Sequence, residues 1–173
     1  MARNVEIKAR IESVEALLPR AAALADQGPT EIVQDDTFFA CASGRLKLRA
    51  LSATEGQLIF YRRPDQPGPK ESLFLISPTS SPDTLREALT LAYGQAGRVL
   101  KRRTLYLAGR TRLHLDRVED LGDFLELEVV MADDEPTEAG VALAHDLLAK
   151  LGISPSQLID RAYVDLLEES RPP

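Results

Sequence analysis

Two glutamates in FLELE, Glu126 and Glu128, are separated by one leucine, and three cations in RLKLR, Arg45, Lys47 and Arg49, alternate with two leucines. On a strand, residues two apart share a face, so each stretch puts its charges on one side and its leucines on the other. Charges also share a face at Glu6, Lys8 and Arg10 in VEIKAR, at Lys101 and Arg103 in LKRRTLYL, and at Arg110, Arg112, His114 and Asp116 in RTRLHLD, the last with Leu113 and Leu115 opposite. A single strand of this kind has one wet face and one buried face. Five of them allow another arrangement, with the leucine faces covered from outside by helices and the charged faces turned towards each other. Like charges two apart on a strand lie about 6.6 Å from one another and repel by about 2.5 kcal/mol at an effective dielectric near 20. An interior with up to nine cations, from Lys8 to Arg112, therefore calls for a polyanion. Glu6, Asp116, Glu126 and Glu128 offset part of that charge and offer hard oxygen ligands suited to Mg²⁺ or Mn²⁺. A polyanion bridged to a divalent cation is what phosphoryl transfer requires, since that reaction depends on positioning and charge stabilisation more than on a covalent nucleophile.

The elements that must hold these residues can be read along the chain. NVEIKARI is a strand, and SVEALLPRAAALADQG a helix with Ser13 at its N-cap and Gly28 past its end. TEIVQDDTFFACA, GRLKLRAL, QLIFYRR and SLFLISP are strands, the third and fourth divided by the proline-rich loop RPDQPGPKES. SSPDTLREALTLAYG is a helix opened by Ser81 and Pro82. RVLKRRTLYLAG and RTRLHLDRV form a hairpin turning near Ala108 and Gly109, and DLGDFLELEVVM adds a strand entered through a turn at Gly122. TEAGVALAHDLLAKLG and SPSQLIDRAYVDLLEES read as two helices. About eight strands joined mostly by short turns favour antiparallel pairing, an α+β chain forming a single domain over residues 1–173.

The whole chain narrows the function classes. A net charge of −6 argues against a general nucleic-acid binder, without excluding a local basic pocket. No apolar run approaches a membrane span, and the charged start MARNVEIKAR lacks a secretory leader pattern, so a cytoplasmic setting is expected. Cys41 is the only cysteine and is expected to be a buried small hydrophobe, so no disulfide or cysteine metal site is possible. His145 is expected in water on a helix, Lys70 at the surface in its loop, and His114 as an orienting hydrogen-bonder on the Arg112–Asp116 face.

With VEIK, GRLKLR, LIFYRR, KRRTLY, RTRLHLD, LGDFLELE and AYVDLL in this order, the chain resembles the CYTH superfamily, the triphosphate tunnel metalloenzymes. That group includes class IV adenylyl cyclases, thiamine triphosphatases and inorganic tripolyphosphatases. The resemblance covers about residues 3–167, and the block from KRRTLYL to FLELE looks most like the cyclase-like branch. It implies an eight-stranded antiparallel β-barrel with flanking helices, enclosing a tunnel that binds a triphosphate-containing small molecule such as tripolyphosphate, ATP or thiamine triphosphate. By position it implies metal ligands at Glu6, Glu126, Glu128 and Asp116, and phosphate contacts at Lys8, Arg45, Lys47, Arg49, Arg62, Lys101, Arg103 and Arg112. Glu6, Lys8 and Arg112 are the catalytic candidates, and Tyr163 matches a family tyrosine, though core packing of the last helix accounts for it equally. The family signature Glu-x-Glu-x-Lys reads Asn4, Glu6, Lys8 here, so one negative charge is missing. The expected activity is metal-dependent hydrolysis of a triphosphate; the alternatives are cyclisation of ATP to cyclic AMP and pyrophosphate, or non-catalytic binding of polyphosphate or nucleotide.

Overall fold

The computed structural model describes residues 1–172. Eight long strands pair antiparallel in the order β5-β4-β3-β2-β6-β7-β8-β1, and a further pairing of β1 with β5 closes the ring. They are β1 (Ala2–Arg10), β2 (Gln27–Phe39), β3 (Arg45–Ala50), β4 (Gly56–Arg62), β5 (Lys70–Thr79), β6 (Gln95–Ala108), β7 (Thr111–Val118) and β8 (Gly122–Met131). Four helices flank the ring: α1 (Val14–Leu24), α2 (Pro82–Tyr93), α3 (Thr137–Leu151) and α4 (Tyr163–Glu169). Among the described residues no helix is long and apolar enough to cross a membrane.

Helices cover the leucine faces, as the sequence pattern requires. Leu113, Leu115, Leu125, Leu127, Val5 and Ile7 of β7, β8 and β1 are fully buried against Val14, Leu17, Leu147 and Leu151 of α1 and α3. α1 opens on Ser13, whose hydroxyl accepts from the Ala16 N–H at 3.1 Å, and α3 ends at Gly152 in the left-handed region. A second cluster, Phe38, Val99, Phe124, Ala162, Tyr163 and Val164, seats α4 across one end of the ring.

The last expected helix is broken. Pro155–Gln157 form a 3₁₀ turn, and Leu158–Ile159 form β9, paired with Ala9 and Lys8 of β1. β5 pairs with β1 only from Ala2 to Glu6, which leaves the backbone of Lys8 and Ala9 open on that side. β9 supplies the missing partners, and that demand overrides helical propensity. Two further extents differ: β2 begins at Gln27, before the expected Thr30, as α1 ends at Leu24, and β6 begins at Gln95, before the expected Arg98.

Candidate functional site

The ring encloses a cavity of about 320 Å³. Its wall carries the cations Lys8, Lys47, Arg49, Arg63, Lys101, Arg103 and Arg112, and the carboxylates of Glu6, Asp36, Glu126 and Glu128. Register puts them there. Glu126 of β8 lies opposite Lys8 on one side and His114 on the other, and Glu128 lies opposite Glu6 and Arg112. Lys8–Glu126 and Arg112–Glu128 are thus direct cross-strand neighbours of opposite sign, while Glu6 and Glu128 meet as like charges.

The acidic group sits on β1, β7 and β8. Ligand atoms of His114, Glu126 and Glu128 lie within 4.8 Å of one another. His114 Nδ1 is 3.3 Å from Glu126 Oε1, and burial lowers its pKa, so the neutral imidazole is favoured. Burial and the charge of Glu126 push the Glu6 carboxyl up to about 7, even though Arg63 Nε lies 3.0 Å from Glu6 Oε1. Lys8 Nζ, 3.4 Å from Glu126 Oε2, helps hold Glu126 well below the usual carboxylate range despite its burial. Crowded carboxylates beside a neutral imidazole fit a divalent cation, because its charge relieves the repulsion that raises Glu6 and the donors are oxygen and imidazole nitrogen. Asn4 sits at the edge of this group. Its amide oxygen can accept from Arg112 Nη2 at 3.1 Å, and the opposite amide orientation reaches Glu128 Oε2 at 3.4 Å. Asn4 thus joins the Arg112–Glu128 pair without adding charge.

The basic group sits on β2, β3 and β6 around Asp36. Arg49 binds Asp36 through Nε at 2.8 Å and Nη2 at 2.7 Å, while Lys47 and Lys101 approach Oδ2 at 3.2 and 3.3 Å. Burial opposes its ionisation, but these three charges hold Asp36 well below the usual carboxylate range. Burial pushes Lys101 down to about 7 in spite of Asp36. Asp36 was missed in the sequence because DD leaves open which aspartate faces in; Asp35 faces out to Arg98 and Arg86.

Five expected placements need correction. Asp116 is not in the acidic group: Arg103 binds its two oxygens at 2.7 Å each and the Tyr163 hydroxyl donates to it at 2.8 Å, so no lone carboxylate edge faces the cavity. Burial disfavours its charge, yet Arg103 brings its pKa down to about 2. Arg45 has the inward parity of its strand but stands at the strand end, where Asp165 of α4 takes both of its Nη atoms at 2.9 and 2.6 Å. Arg62 is exposed and donates to the Ser43 carbonyl at 2.9 Å; its neighbour Arg63 faces the cavity instead. Lys70 is buried, not superficial, with Nζ on the Gln66 carbonyl at 2.8 Å. Arg10 and Arg110 are exposed outside the lining, His145 is exposed, and Cys41 is half-buried where full burial was expected. Tyr163 is buried beneath the cavity, its ring 3.8 Å from Lys8 Nζ.

Comparison with known proteins agrees with this architecture. The chain is 30% identical over 175 residues to the adenylate cyclase CyaB of Aeromonas hydrophila, covering 96% of this chain and 90% of that one. Its fold matches the PH1012 protein of Pyrococcus horikoshii with a TM-score of 0.84 at 24% identity, over 94% of this chain and 98% of that one. It also matches HpAC1 of Hippeastrum, a protein with a dominant triphosphatase activity, with a TM-score of 0.69 at 16% identity, over 100% and 98% of the two chains. A family model for the CYTH domain matches residues 2–163, and by that match, together with the closed ring and its charged interior, the chain belongs to the CYTH domain family.

Proposed function

We propose that the chain acts as one domain, an enzyme that binds a triphosphate inside the ring and hydrolyses its phosphoanhydride bond with Mg²⁺ or Mn²⁺. The observation that carries this reading is the lining itself, seven cations with an acidic group at one side of the same cavity. Lys47, Arg49 and Lys101, already fixed by Asp36, and Arg103, fixed by Asp116, can exchange part of those contacts for phosphate oxygens without reorganising. Lys8, Arg63 and Arg112 flank the acidic group and would take up charge on the phosphoryl group between the two sets. Glu126, Glu128 and His114, with Glu6 beside them, would hold the divalent cation. Such a cation polarises phosphate oxygens and lowers the pKa of water. In the hydrolysis, water attacks the terminal phosphorus and gives up a proton to solvent or to a phosphate oxygen, the bridging P–O bond breaks, and these cations stabilise the negative charge that stays on the leaving oxygen.

A second reading is cyclisation of ATP, in which the ribose 3′-oxygen attacks the α-phosphorus and pyrophosphate leaves. The named activity of the 30% identical CyaB relative favours it. Incubation with tripolyphosphate, ATP and thiamine triphosphate, each with Mg²⁺ or Mn²⁺, separates the readings. Orthophosphate release supports hydrolysis, cyclic AMP with pyrophosphate supports the cyclase, and metal-linked binding without turnover defeats both in favour of a binding module.

A further inference from the structure

The acidic group is matched charge for charge before any ligand enters. Arg63 Nε lies 3.0 Å from Glu6 Oε1, Lys8 Nζ lies 3.4 Å from Glu126 Oε2, and Arg112 reaches Glu128 Oε2 through Nη2 at 2.8 Å and Nε at 2.9 Å. Each carboxylate of the group thus faces its own cation, and Arg103 adds a further contact, 3.5 Å from Glu126 Oε1. Among the described residues only His114, Glu126 and Glu128 bring three ligand atoms within 4.8 Å of one another. One divalent cation can share these atoms. A second would need anionic oxygen of its own, since hard cations are held by charged oxygen ligands. Glu6 is tied to Arg63, one Glu128 oxygen is tied to Arg112, and the remaining carboxylate of the lining, Asp36, is held by Lys47, Arg49 and Lys101.

Position 4 is where such oxygen would come from. It follows Lys8 and Glu6 on the same face of β1, and it is filled by Asn4, opposite Ser72 of β5. Asn4 is 3% exposed, so its amide must find partners inside the protein. With its N–H turned to the Arg3 carbonyl at 3.0 Å, its oxygen accepts from Arg112 Nη2 at 3.1 Å, and both polar atoms are satisfied. The opposite orientation gives a longer contact, 3.4 Å to Glu128 Oε2. The Arg112 guanidinium is therefore braced between a carboxylate and a neutral carbonyl. The neutral side of the brace fixes the guanidinium without cancelling more of its charge, as a carboxylate at position 4 would.

We infer that Asn4 is a positioning residue for Arg112, and that the braced guanidinium does beside Glu128 what a second divalent cation would do, so that this chain takes one such cation rather than two. This rests on the metal-dependent triphosphate reading. A fixed guanidinium supplies both charge and directed N–H donors to phosphate oxygens. It also competes with the divalent cation for Glu128 Oε2.

Mn²⁺ binding to the intact, ligand-free protein, counted by electron paramagnetic resonance of the free ion, tests this. The wild-type protein should take up about one equivalent and Asn4→Glu about two, since the added carboxylate supplies the missing charge. Arg112→Met should tighten Mn²⁺ about 5-fold by freeing Glu128, and weaken tripolyphosphate, titrated calorimetrically in EDTA, about 10-fold. Asn4→Leu should keep the single equivalent and weaken tripolyphosphate about 3-fold, because Arg112 is present but no longer aimed. A residue that served only the fold would not move the two ligands in opposite directions, and Arg112→Met carries that comparison without touching position 4. About two equivalents in the wild type, no gain in Asn4→Glu, Mn²⁺ weakened by Arg112→Met, or tripolyphosphate untouched by Asn4→Leu each overturns the inference and leaves the metal reading standing. No Mn²⁺ bound by the wild-type protein sinks both.

Discussion

A carboxylate among three cations does two things at once: Asp36 offsets the repulsion between Lys47, Arg49 and Lys101, and it fixes where they point. Asp116 does the same for Arg103 and Tyr163. Asp116→Asn should leave the buried Arg103 with only Glu126, 3.5 Å away, as a carboxylate partner and cost about 2–4 kcal/mol of stability, read by denaturant unfolding. Glu126→Ala should instead remove metal-dependent turnover while the far-UV circular dichroism stays near wild type, although Lys8 and Arg103 lose a buried partner and the unfolding midpoint falls; unchanged turnover would defeat the metal assignment. Lys101 gives a pH dependence. Its ordinary value is 10.5 and burial brings it to about 7, so between those values the unfolded chain carries a proton that the folded chain has released. Its contribution to ligand-free stability therefore rises with pH across that window. Phosphate binding works in the opposite direction, since the anion favours the charged ammonium. Titration of tripolyphosphate at pH 8 in buffers of different ionisation enthalpy should show proton uptake that Lys101→Met abolishes.

At the scale of elements, α4 is the part that the strands alone do not hold. It is docked by the Arg45–Asp165 pair, by Tyr163 on Asp116, and by Val164 against Gly97 of β6, where a Cβ would overlap the Val164 side chain. Gly97→Ala should therefore displace α4 at a cost of about 1–3 kcal/mol, and Val164→Ala in that background should recover most of the loss. Weaker tripolyphosphate binding in the single variant, restored in the double one, would show that α4 shapes the deep end of the cavity. This helix was only partly legible in SPSQLIDRAYVDLLEES: its amphipathic end reads as a helix, but the need of Lys8 and Ala9 for strand partners is written in β1, far away in the chain. The turn and register of the β6–β7 hairpin were legible, because the turn at Gly109 and the leucine alternation of β7 are local.

At the scale of the whole molecule, the cavity concentrates positive charge inside an acidic protein. Seven of the 21 Lys and Arg residues line it with four of the 27 Asp and Glu, which leaves 14 cations against 23 carboxylates elsewhere. A ligand that neutralises the interior should stabilise the whole ring, since all eight long strands close around it. Tripolyphosphate with Mg²⁺ at 100 times its Kd should add about 2.7 kcal/mol and raise the Tm by about 5–10 °C, read by a thermal scan. The sequence by itself determined the eight long strands, their antiparallel pairing and which charged residues share a face, because alternation with period two is a local property; that those faces turn inward was decided by the closed ring. The sequence also pointed to Lys8, Lys47, Arg49, Lys101, Arg103, Arg112, Glu6, Glu126 and Glu128 as lining residues, most of them alternating with apolar neighbours. Only the tertiary structure decided the doublets. In Asp35–Asp36 and Arg62–Arg63 either residue satisfies the local pattern; the β2–β3 register set Asp36 beside Arg49, and Arg63, just past β4, follows the inward Ile59 and Tyr61 to meet Glu6. It also decided that Asp116 anchors Arg103 and Tyr163 while His114 joins the acidic group, because which charge meets which depends on strands and a helix remote in sequence.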